Sequence, residues 1–319
     1  MFFINQFKLL KMKKIKKYLG YCLFAFGLSG CTQPNPIKHN INDNNAMLAN
    51  IVKVQTLQSM VDDKNPEWMK GIDVGNVYDL IVEPVLQLKK DVYYTDVPLG
   101  TKSTTIKTRA EIKSEILHNC TNGVCPKNEF NKLYFLEEWN FDKKTFTMSK
   151  EIVAYMPVRR WVRNQGEVIH QALFQIIQEG NAKKAYKELT KIGSDLKYEY
   201  EFSPLEYTDV SIGIDRIKFT NYIFDGIVKN NIKAYEPTYL VDNSKTIFSS
   251  RKDIEIVSKD SLNSSELRSQ ITSLIFVEDW YIDKETLFLY KKVNGIGFVK
   301  TGFNSPHDKK ILFFIFFDK

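Results

Sequence analysis

The 319-residue sequence has few of the side chains on which most catalytic and metal sites depend. It contains four histidines and four cysteines, and no two histidines stand at the spacing of a metal-binding motif such as HExxH. The nucleophile elbow GxSxG, the phosphate-binding loop and the dinucleotide-binding turn do not occur either. The sequence therefore indicates no catalytic residue, no metal ligand and no cofactor site, and we expect a protein that is not an enzyme.

Two pairs of adjacent carboxylates remain as candidates for acid–base chemistry, Glu137 with Glu138 and Glu278 with Asp279. Adjacent side chains on a strand point to opposite faces of the sheet, so neither pair can act as a dyad on its own. In each pair we expect one carboxylate in solvent and the other in a salt bridge near the tryptophan that follows.

Acidic residues are absent from residues 1–30, which contain six lysines. Without this segment the chain carries 39 basic and 38 acidic residues, so the net charge of +7 comes almost entirely from the N-terminal part. A surface that binds nucleic acid needs basic residues clustered on the folded part of the chain. We therefore expect no nucleic-acid partner.

No apolar run is long enough for a membrane-spanning helix, because such a helix needs about 20 apolar residues. The lysines are instead followed by a short apolar stretch over 18–27 and by Leu28-Ser-Gly-Cys31. This order is typical of a secretory signal peptide, and its end resembles the lipobox of bacterial lipoproteins. We predict a signal peptide over 1–30 and a lipid on Cys31. The alternative is an ordinary signal peptide followed by a chance cysteine.

The lipid on Cys31 would hold the protein at a membrane, and we expect no other cofactor. Residues 31–70 are predicted to form a lipidated tether, rich in Asn and Pro over 32–45, followed by a short helix near 47–61. No acidic residue follows the lipidated cysteine within 32–36, which favours an outer-membrane anchor facing the periplasm over display on the cell surface.

Only two cysteines belong to the predicted mature fold, Cys120 and Cys125. Both lie in a turn-like stretch, and in an oxidising envelope a local disulfide between them is the expected state. A redox pair or half of a zinc site are the alternatives. Both are disfavoured, because four residues separate the cysteines and no second Cys or His pair lies nearby in the sequence.

The mature part of the chain contains an internal duplication. Residues 135–146 align with 276–287 at an offset of 141, including the tryptophan, the two acids before it and the Asp-Lys turn. Upstream segments match at an offset of 142 and downstream segments at 139, so two small deletions account for the drift. The alignment predicts two homologous units, over 71–192 and 213–319, joined by a linker over 193–212.

Each predicted unit combines helices with strands. Apolar residues at helical spacing near 78–86 and 220–228 predict a first amphipathic helix, and capping patterns at Thr108 and Ser250 predict the start of a second. Residues 181–192 are expected to add another helix. Because the tryptophan segments alternate like strands and turn back as hairpins, we expect two tandem α+β units, each with two helices packed on a small antiparallel sheet.

Four aromatic residues are candidates for the core or for an interface: Trp139, Trp280, Phe313 and Phe316. Burial in the core is the favoured interpretation for the two tryptophans, with an exposed contact residue as the alternative. The phenylalanines belong to the aromatic segment 311–317, the most apolar segment outside the signal. A bare edge strand of this kind would aggregate, so we expect its own sheet or a partner to cover it.

Short motifs in both copies resemble a known family. The run Glu278-Asp-Trp-Tyr-Ile-Asp-Lys284, the segment Tyr222-Ile-Phe-Asp-Gly-Ile227 and the first-copy counterpart Glu137-Glu-Trp139 are similar to segments of the gliding-motility protein GldN, also called PorN. The segment Leu312-Phe-Phe-Ile-Phe316 resembles that family's aromatic strand. The resemblance implies a non-enzymatic part of the type IX secretion and gliding machinery, which assembles with a partner lipoprotein into a ring beneath the outer membrane. This chain departs from the pattern by carrying its own lipidation signal and two units.

Together these features predict a lipid-anchored periplasmic scaffold of a gliding-motility or type IX secretion assembly. Its expected partners are the membrane, through the lipid, and other proteins of that machinery, among them a ring-forming lipoprotein. The alternative is an envelope lipoprotein that binds a ligand in a cleft between the two units.

Overall fold

The computed structural model describes residues 52–61, 65–87, 90–118, 120, 126–163, 166–179, 184–202, 215–302 and 305–317. The predicted signal peptide, the lipidation site Cys31, most of the tether and Cys125 lie outside these residues. None of the helices described is both long and apolar enough to cross a bilayer.

The described residues build one antiparallel sheet of nine strands. The strands are β1 (Val52–Ser59), β2 (Lys132–Asp142), β3 (Thr147–Val162), β4 (Val168–Ala172), β5 (Ile176–Ile177), β6 (Thr190–Glu201), β7 (Ile271–Asp283), β8 (Phe288–Gly302) and β9 (Ser305–Phe316). Their order is β1-β2-β3-β8-β7-β6, with β4 and β5 paired to β3 and β9 paired to β8. The hairpins β2–β3 and β7–β8 thus form the centre, and they pair with each other at Lys150 and Lys291.

The helices connect these strands at equivalent places in the two copies. They are α1 (Val74–Leu86), α2 (Arg109–Leu117), α3 (Arg216–Val228), α4 (Tyr239–Asp242), α5 (Arg251–Ser258) and α6 (Ser265–Ser269), with short 3-10 helices at Pro66–Met69, Lys127–Glu129 and Tyr186–Glu188. The carboxylates of Asp73 and Asp215 accept hydrogen bonds from the first turns of α1 and α3. The capping boxes predicted at Thr108 and Ser250 are confirmed at the starts of α2 and α5.

Both central hairpins turn in the same way. Asp142 Oδ1 accepts a hydrogen bond from the backbone N–H of Lys144, and Asp283 Oδ1 accepts one from the N–H of Glu285. The last residue of each turn, Phe146 or Leu287, has a left-handed backbone with φ of 54° and 58°. The same uncommon conformation at aligned positions agrees with the duplication read from the sequence.

The strand register reproduces the sequence offsets. Both hairpins carry a β-bulge immediately before a buried glutamate, Glu137 in β2 and Glu278 in β7. The tryptophans two residues later stand opposite Lys150 and Lys291. The offset of 141 between the copies therefore describes the backbone of the hairpins as well as their sequence.

The duplication also extends beyond the segments aligned by sequence. Val54 of β1 pairs with Glu137, and Leu196 of β6 pairs with Glu278, so β1 and β6 are equivalent strands at an offset of 142. We call the two structural repeats the first half, beginning at β1, and the second half, beginning at β6.

The predicted fold class, two tandem units each with its own small sheet, is wrong. The strands form a single nine-stranded sheet that runs through both halves, and the helices are few beside it. The two units were expected to fold separately because each appeared in the sequence with its own helices and its own hairpin. Alternation along a strand specifies which face is buried but not which neighbouring strand it pairs with, so the join at β3 and β8 was not predicted.

The two halves share their apolar interior. Trp139 of the first half packs among residues of the second half, with its ring centroid 4.9 Å from that of Phe276. Trp280 of the second half packs among residues of the first half, 5.5 Å from Phe135. Each half therefore completes the core beneath the helices of the other, and neither half encloses a full core of its own.

Two expected helices are strands. Residues 52–59, within the helix predicted near 47–61, form β1. Residues 190–201, divided in the prediction between a helix and the linker over 193–212, form β6. In the described part of the helix predicted over 181–192, Tyr186–Glu188 alone is helical, as a 3-10 turn. The irregular register of β6 between Lys191 and Leu196, where Asp195 has a φ of 53°, hides the alternation that would have identified a strand.

The aromatic segment 311–317 lies inside the sheet. Residues 311–316 form the last six of the twelve residues of β9, which pairs with β8 on one side, while Phe314 makes an isolated bridge to Tyr235. Phe313 is fully buried against Phe224 and Phe298. Of the two expected covers, its own sheet or a partner, the structure shows the sheet, which pairs with one edge of the strand.

Candidate functional site

At the bulge of each central hairpin, a tryptophan donates a hydrogen bond to a glutamate. Trp139 Nε1 donates to Glu137 Oε2 at 2.8 Å, and Trp280 Nε1 donates to Glu278 Oε2 at 2.9 Å. All four side chains are buried, because residues two apart on a strand share the face that the helices cover. The indole thus satisfies one oxygen of each buried carboxylate.

Two buried lysines satisfy the other carboxylate oxygens across the join between the halves. Lys291 Nζ lies 2.5 Å from Glu137 Oε1, and Lys150 Nζ lies 2.8 Å from Glu278 Oε1. Each lysine therefore pairs with the glutamate of the other half. We call these four residues the charge cluster. Its two positive and two negative charges balance inside the molecule.

Aromatic rings enclose the charge cluster. The ammonium group of Lys150 lies 3.1 Å from the ring centroid of Phe276, and that of Lys291 lies 3.6 Å from the ring of Phe135. Tyr198 breaks the symmetry, because its hydroxyl donates to Glu278 at 3.0 Å and accepts a hydrogen bond from Lys150. Cation–π contacts and this hydroxyl replace the water that the two ammonium groups lose on burial.

Burial and pairing act in opposite directions on the pKa values of Lys150 and Glu278. Burial lowers the pKa of Lys150 to about 8, although the carboxylates of Glu278 and Glu137 act against this shift. For Glu278, burial raises the pKa, but Lys150 and Lys291 outweigh it and hold the pKa below its usual value. Burial raises the pKa of the Tyr198 hydroxyl well above its usual value. Lys150 and Glu278 are therefore both charged near neutral pH, which suits a structural ion pair.

The neighbouring carboxylates face away from the charge cluster. Asp279 accepts hydrogen bonds from Lys191 Nζ at 2.8 Å and from the backbone N–H of Asp195 at 2.9 Å. As expected, one acid of each pair forms a salt bridge beside the tryptophan, Glu137 in the first pair and Glu278 in the second. The expectation that the other acid lies in solvent is wrong for Asp279, whose side chain is 14% exposed and pairs with Lys191. Sequence reasoning missed both lysines, although Lys150 and Lys291 align at the offset of 141 and would have been found by comparing charged residues between the copies.

A cleft opens at one end of the join between the halves. It has a volume of about 540 Å³, and we call it the junction cleft. Residues from the turn of the first hairpin, the loop after α3 and the end of β9 line it: Thr145, Phe146, Thr147, Asn231, Ile232, Lys233, Tyr235, Ile315, Phe316 and Phe317. Aromatic rings, hydroxyls, an amide and an ammonium group are thus brought together by both halves.

A smaller groove of about 260 Å³ follows the join itself. It is lined by residues of β3 and β8 together with Gln178, Lys184 and Tyr186. The Tyr186 hydroxyl donates to the carbonyl of Lys291 at 3.1 Å, and Gln178 bonds to the backbone of Leu289. Side chains of the protein itself, those of Tyr186 and Gln178, therefore already bond to backbone groups that line this groove.

The structure places the predicted site residues in three environments. Trp139, Trp280 and Phe313 are core residues, whereas Phe316 is half-buried and lines the junction cleft. Cys31 and Cys125 lie outside the described residues, so the lipid and the disulfide with Cys120 stay predictions. Within the described ranges, no group of His, Cys, Asp or Glu side chains is arranged to hold a metal ion.

Comparison with known proteins adds no assignment, because no protein-family model and no curated protein matches the sequence.

Proposed function

We propose that the protein is a lipid-anchored structural component of a gliding-motility or type IX secretion assembly, facing the periplasm from the outer membrane and acting through protein contacts. The observation that carries this proposal is a set of three exposed apolar side chains on the second half. Val241 of α4 is 90% exposed and Ile256 of α5 is 72% exposed. With Ile247, also exposed, they lie within one stretch of 16 residues, which we call the apolar stretch.

The charges of the protein support recognition by shape and apolar contact. The charge cluster is neutralised inside the molecule, and the predicted mature chain is nearly neutral. A nearly neutral surface provides little long-range steering, so a partner must be recognised mainly by complementary contact. Exposed apolar side chains are the usual contact residues of such surfaces.

Photo-crosslinking from intact membranes tests the proposal. A photoreactive residue at position 256 of the full-length chain should capture envelope proteins, whereas one at the exposed position Asn140 on β2 should capture them much less. Adding Val241→Asp to the first variant should reduce capture several-fold without changing the melting temperature. Equal capture at both positions, or recovery of uncrosslinked protein alone, would contradict a role for the apolar stretch.

The anchor has its own test. Cys31→Ser should abolish fatty-acid labelling and move the protein from the membrane to the soluble fraction, because the acyl chains of a lipoprotein anchor far more firmly than one chain alone. Labelling that persists in Cys31→Ser would show that the lipid is not on this cysteine.

The junction cleft favours a second candidate function, ligand binding by an envelope lipoprotein. Its volume of about 540 Å³ lies within the range of small-molecule and peptide sites. Both halves contribute to it, and its lining combines apolar rings with a few polar groups. Saturable binding of a ligand that protects Tyr235 from chemical modification would support this function.

A further inference from the structure

The internal duplication gives the junction cleft an equivalent place at the join, in which the two halves exchange roles. Phe317 of the second half corresponds to Gln178 of the first at the offset of 139, and Thr147 of the first half corresponds to Phe288 of the second at the offset of 141. These equivalences follow the strand pairing, since Phe317 N–H donates to Asn294 as Gln178 N–H donates to Val153. We call the place beside Gln178 and Phe288 the closed site, because it shows what occupies this position when the chain closes it by itself.

A side-chain carboxamide fills the closed site. Gln178 Nε2 donates to the carbonyl of Leu289 at 3.1 Å, and Gln178 Oε1 accepts from the N–H of Leu289 at 2.8 Å. The Phe288 ring is buried beside it, with the ammonium group of Lys90 4.4 Å from its centroid. One amide thus satisfies both backbone groups of a strand residue that faces the join.

Among the described residues, the junction cleft lacks this closure. Met148 is the equivalent of Leu289, and it lies two residues before Lys150, so its N–H and carbonyl point toward the same side of β3 as those of Lys150. Phe317 has no hydrogen-bonding side chain, and Thr147 is smaller than Phe288. Among the described residues, no side chain bonds to the backbone of Met148, and the junction cleft opens beside it.

We propose that the junction cleft binds a short peptide whose glutamine or asparagine carboxamide bonds to the backbone of Met148, as Gln178 bonds to Leu289 in the closed site. The proposal rests on the second candidate function, because it names the ligand of the same cleft. Tyr235 and Phe316 provide apolar walls for the rest of the peptide. Lys233, exposed and in no ion pair among the described residues, provides a positive charge at the rim.

Calorimetric titration of the full-length chain in detergent micelles tests the chemistry of the ligand. The probe is the capped tripeptide acetyl-Ala-Gln-Ala-amide, and the matched control peptide carries Glu in place of Gln. The glutamine peptide should bind about tenfold more tightly, because a carboxylate cannot donate a hydrogen bond to the carbonyl of Met148.

Two substitutions at one position test the site. Phe317→Gln introduces the carboxamide of the first half and should weaken binding of the glutamine peptide about tenfold or more, since the chain then occupies the site itself. Phe317→Leu removes the ring without adding an amide and should leave the affinity within about threefold. Thermal unfolding of both variants establishes that they fold, and Thr147→Phe, which fills the cleft with the ring that Phe288 provides in the closed site, should also weaken binding.

Equal affinity for the glutamine and glutamate peptides, or equal binding by Phe317→Gln and Phe317→Leu, would overturn the proposal. A titration with maltose separates this failure from that of the candidate function. If maltose binds and Thr147→Phe abolishes its binding while neither peptide binds, the carboxamide inference fails and ligand binding in the cleft stands. If none of the three compounds binds, both fail.

Discussion

At the scale of single residues, the charge cluster is the most informative feature of the molecule. Glu137 and Glu278 are buried, and each accepts a hydrogen bond from a tryptophan of its own half and forms an ion pair with a lysine of the other half. Buried ion pairs rarely stabilise a fold more than apolar residues would, because removing two charges from water is costly. Their reciprocal arrangement instead penalises any other register of β3 against β8, since a shifted pairing would leave charges unpaired.

Removing one charge should therefore be strongly destabilising. Glu137→Gln removes the nearest counter-charge of the buried Lys291 ammonium group and leaves Glu278, 4.0 Å away, to be shared by two lysines. We expect the free energy of unfolding in urea to fall by about 3–5 kcal/mol. Glu138→Gln, on the other face of β2, should change it by less than about 0.5 kcal/mol. The double variant Glu137→Leu with Lys291→Met should recover part of the loss; a double variant as unstable as Glu137→Gln would show that shape, not charge, dominates.

The pKa of Lys150 predicts a dependence of stability on pH. Its folded-state pKa of about 8 lies below the usual value of 10.5, so between these values the unfolded chain binds more protons than the folded one. Stability from this group should therefore rise with pH above about 8, by up to about 1.4 kcal/mol per pH unit. An NMR titration of the Lys150 side-chain Cε resonance should show a midpoint near 8, and a midpoint near 10.5 would contradict the burial effect.

At the scale of elements, the two halves use the same local signals in the same places. The capping boxes at Thr108 and Ser250 start α2 and α5, and the turns at Asp142 and Asp283 close the central hairpins. These signals are local, because each involves residues only a few positions apart in sequence. They could be predicted from either copy alone.

Loss of one capping box should be a modest and local defect. Thr108→Ala removes the hydroxyl that accepts from the N–H of Glu111, and we expect a loss of about 1 kcal/mol in the free energy of unfolding. Ser250→Ala is the matched variant in the second half and should have a similar effect. Thr105→Ala, in the loop before α2, serves as the control. A loss in that control as large as in Thr108→Ala would mean that capping is not the cause.

The strand β9 carries core residues, so deleting it tests folding and not an interface. Deleting 311–319 removes Phe313 from the core, so we expect loss of the cooperative thermal transition. Such a deletion cannot report on an interface, because it unfolds the sheet that would carry one. A truncated chain that retained a cooperative transition near the native melting temperature would show that β9 is dispensable.

At the scale of the whole molecule, the two halves form one folding unit. Trp139 and Trp280 each complete the core of the opposite half, and the charge cluster neutralises itself only when both halves are present. Because the apolar core is shared, neither half can bury its own aromatic residues alone.

Cutting the chain between Phe202 and Asp215 tests this interdependence. Each fragment expressed alone should aggregate or lack a cooperative unfolding transition, because its buried lysine and its tryptophan have lost their partners. The two fragments expressed together should co-purify as a one-to-one complex. Cooperative unfolding of either fragment by itself would contradict the shared core.

The sequence by itself determined the duplication, the helix starts, the hairpin turns and the identity of the buried tryptophans, because each depends on spacing within a short stretch of chain. It also indicated that one carboxylate of each adjacent pair forms a salt bridge beside the tryptophan, but it specified neither which one nor Lys150 and Lys291 as the partners. The tertiary structure alone decided that the two repeats share one sheet, that β1 and β6 are strands, and that the junction cleft lies between the halves. The physical reason is that strand pairing across the join depends on contacts between residues about 140 positions apart, and alternation along one strand contains no information about its neighbour.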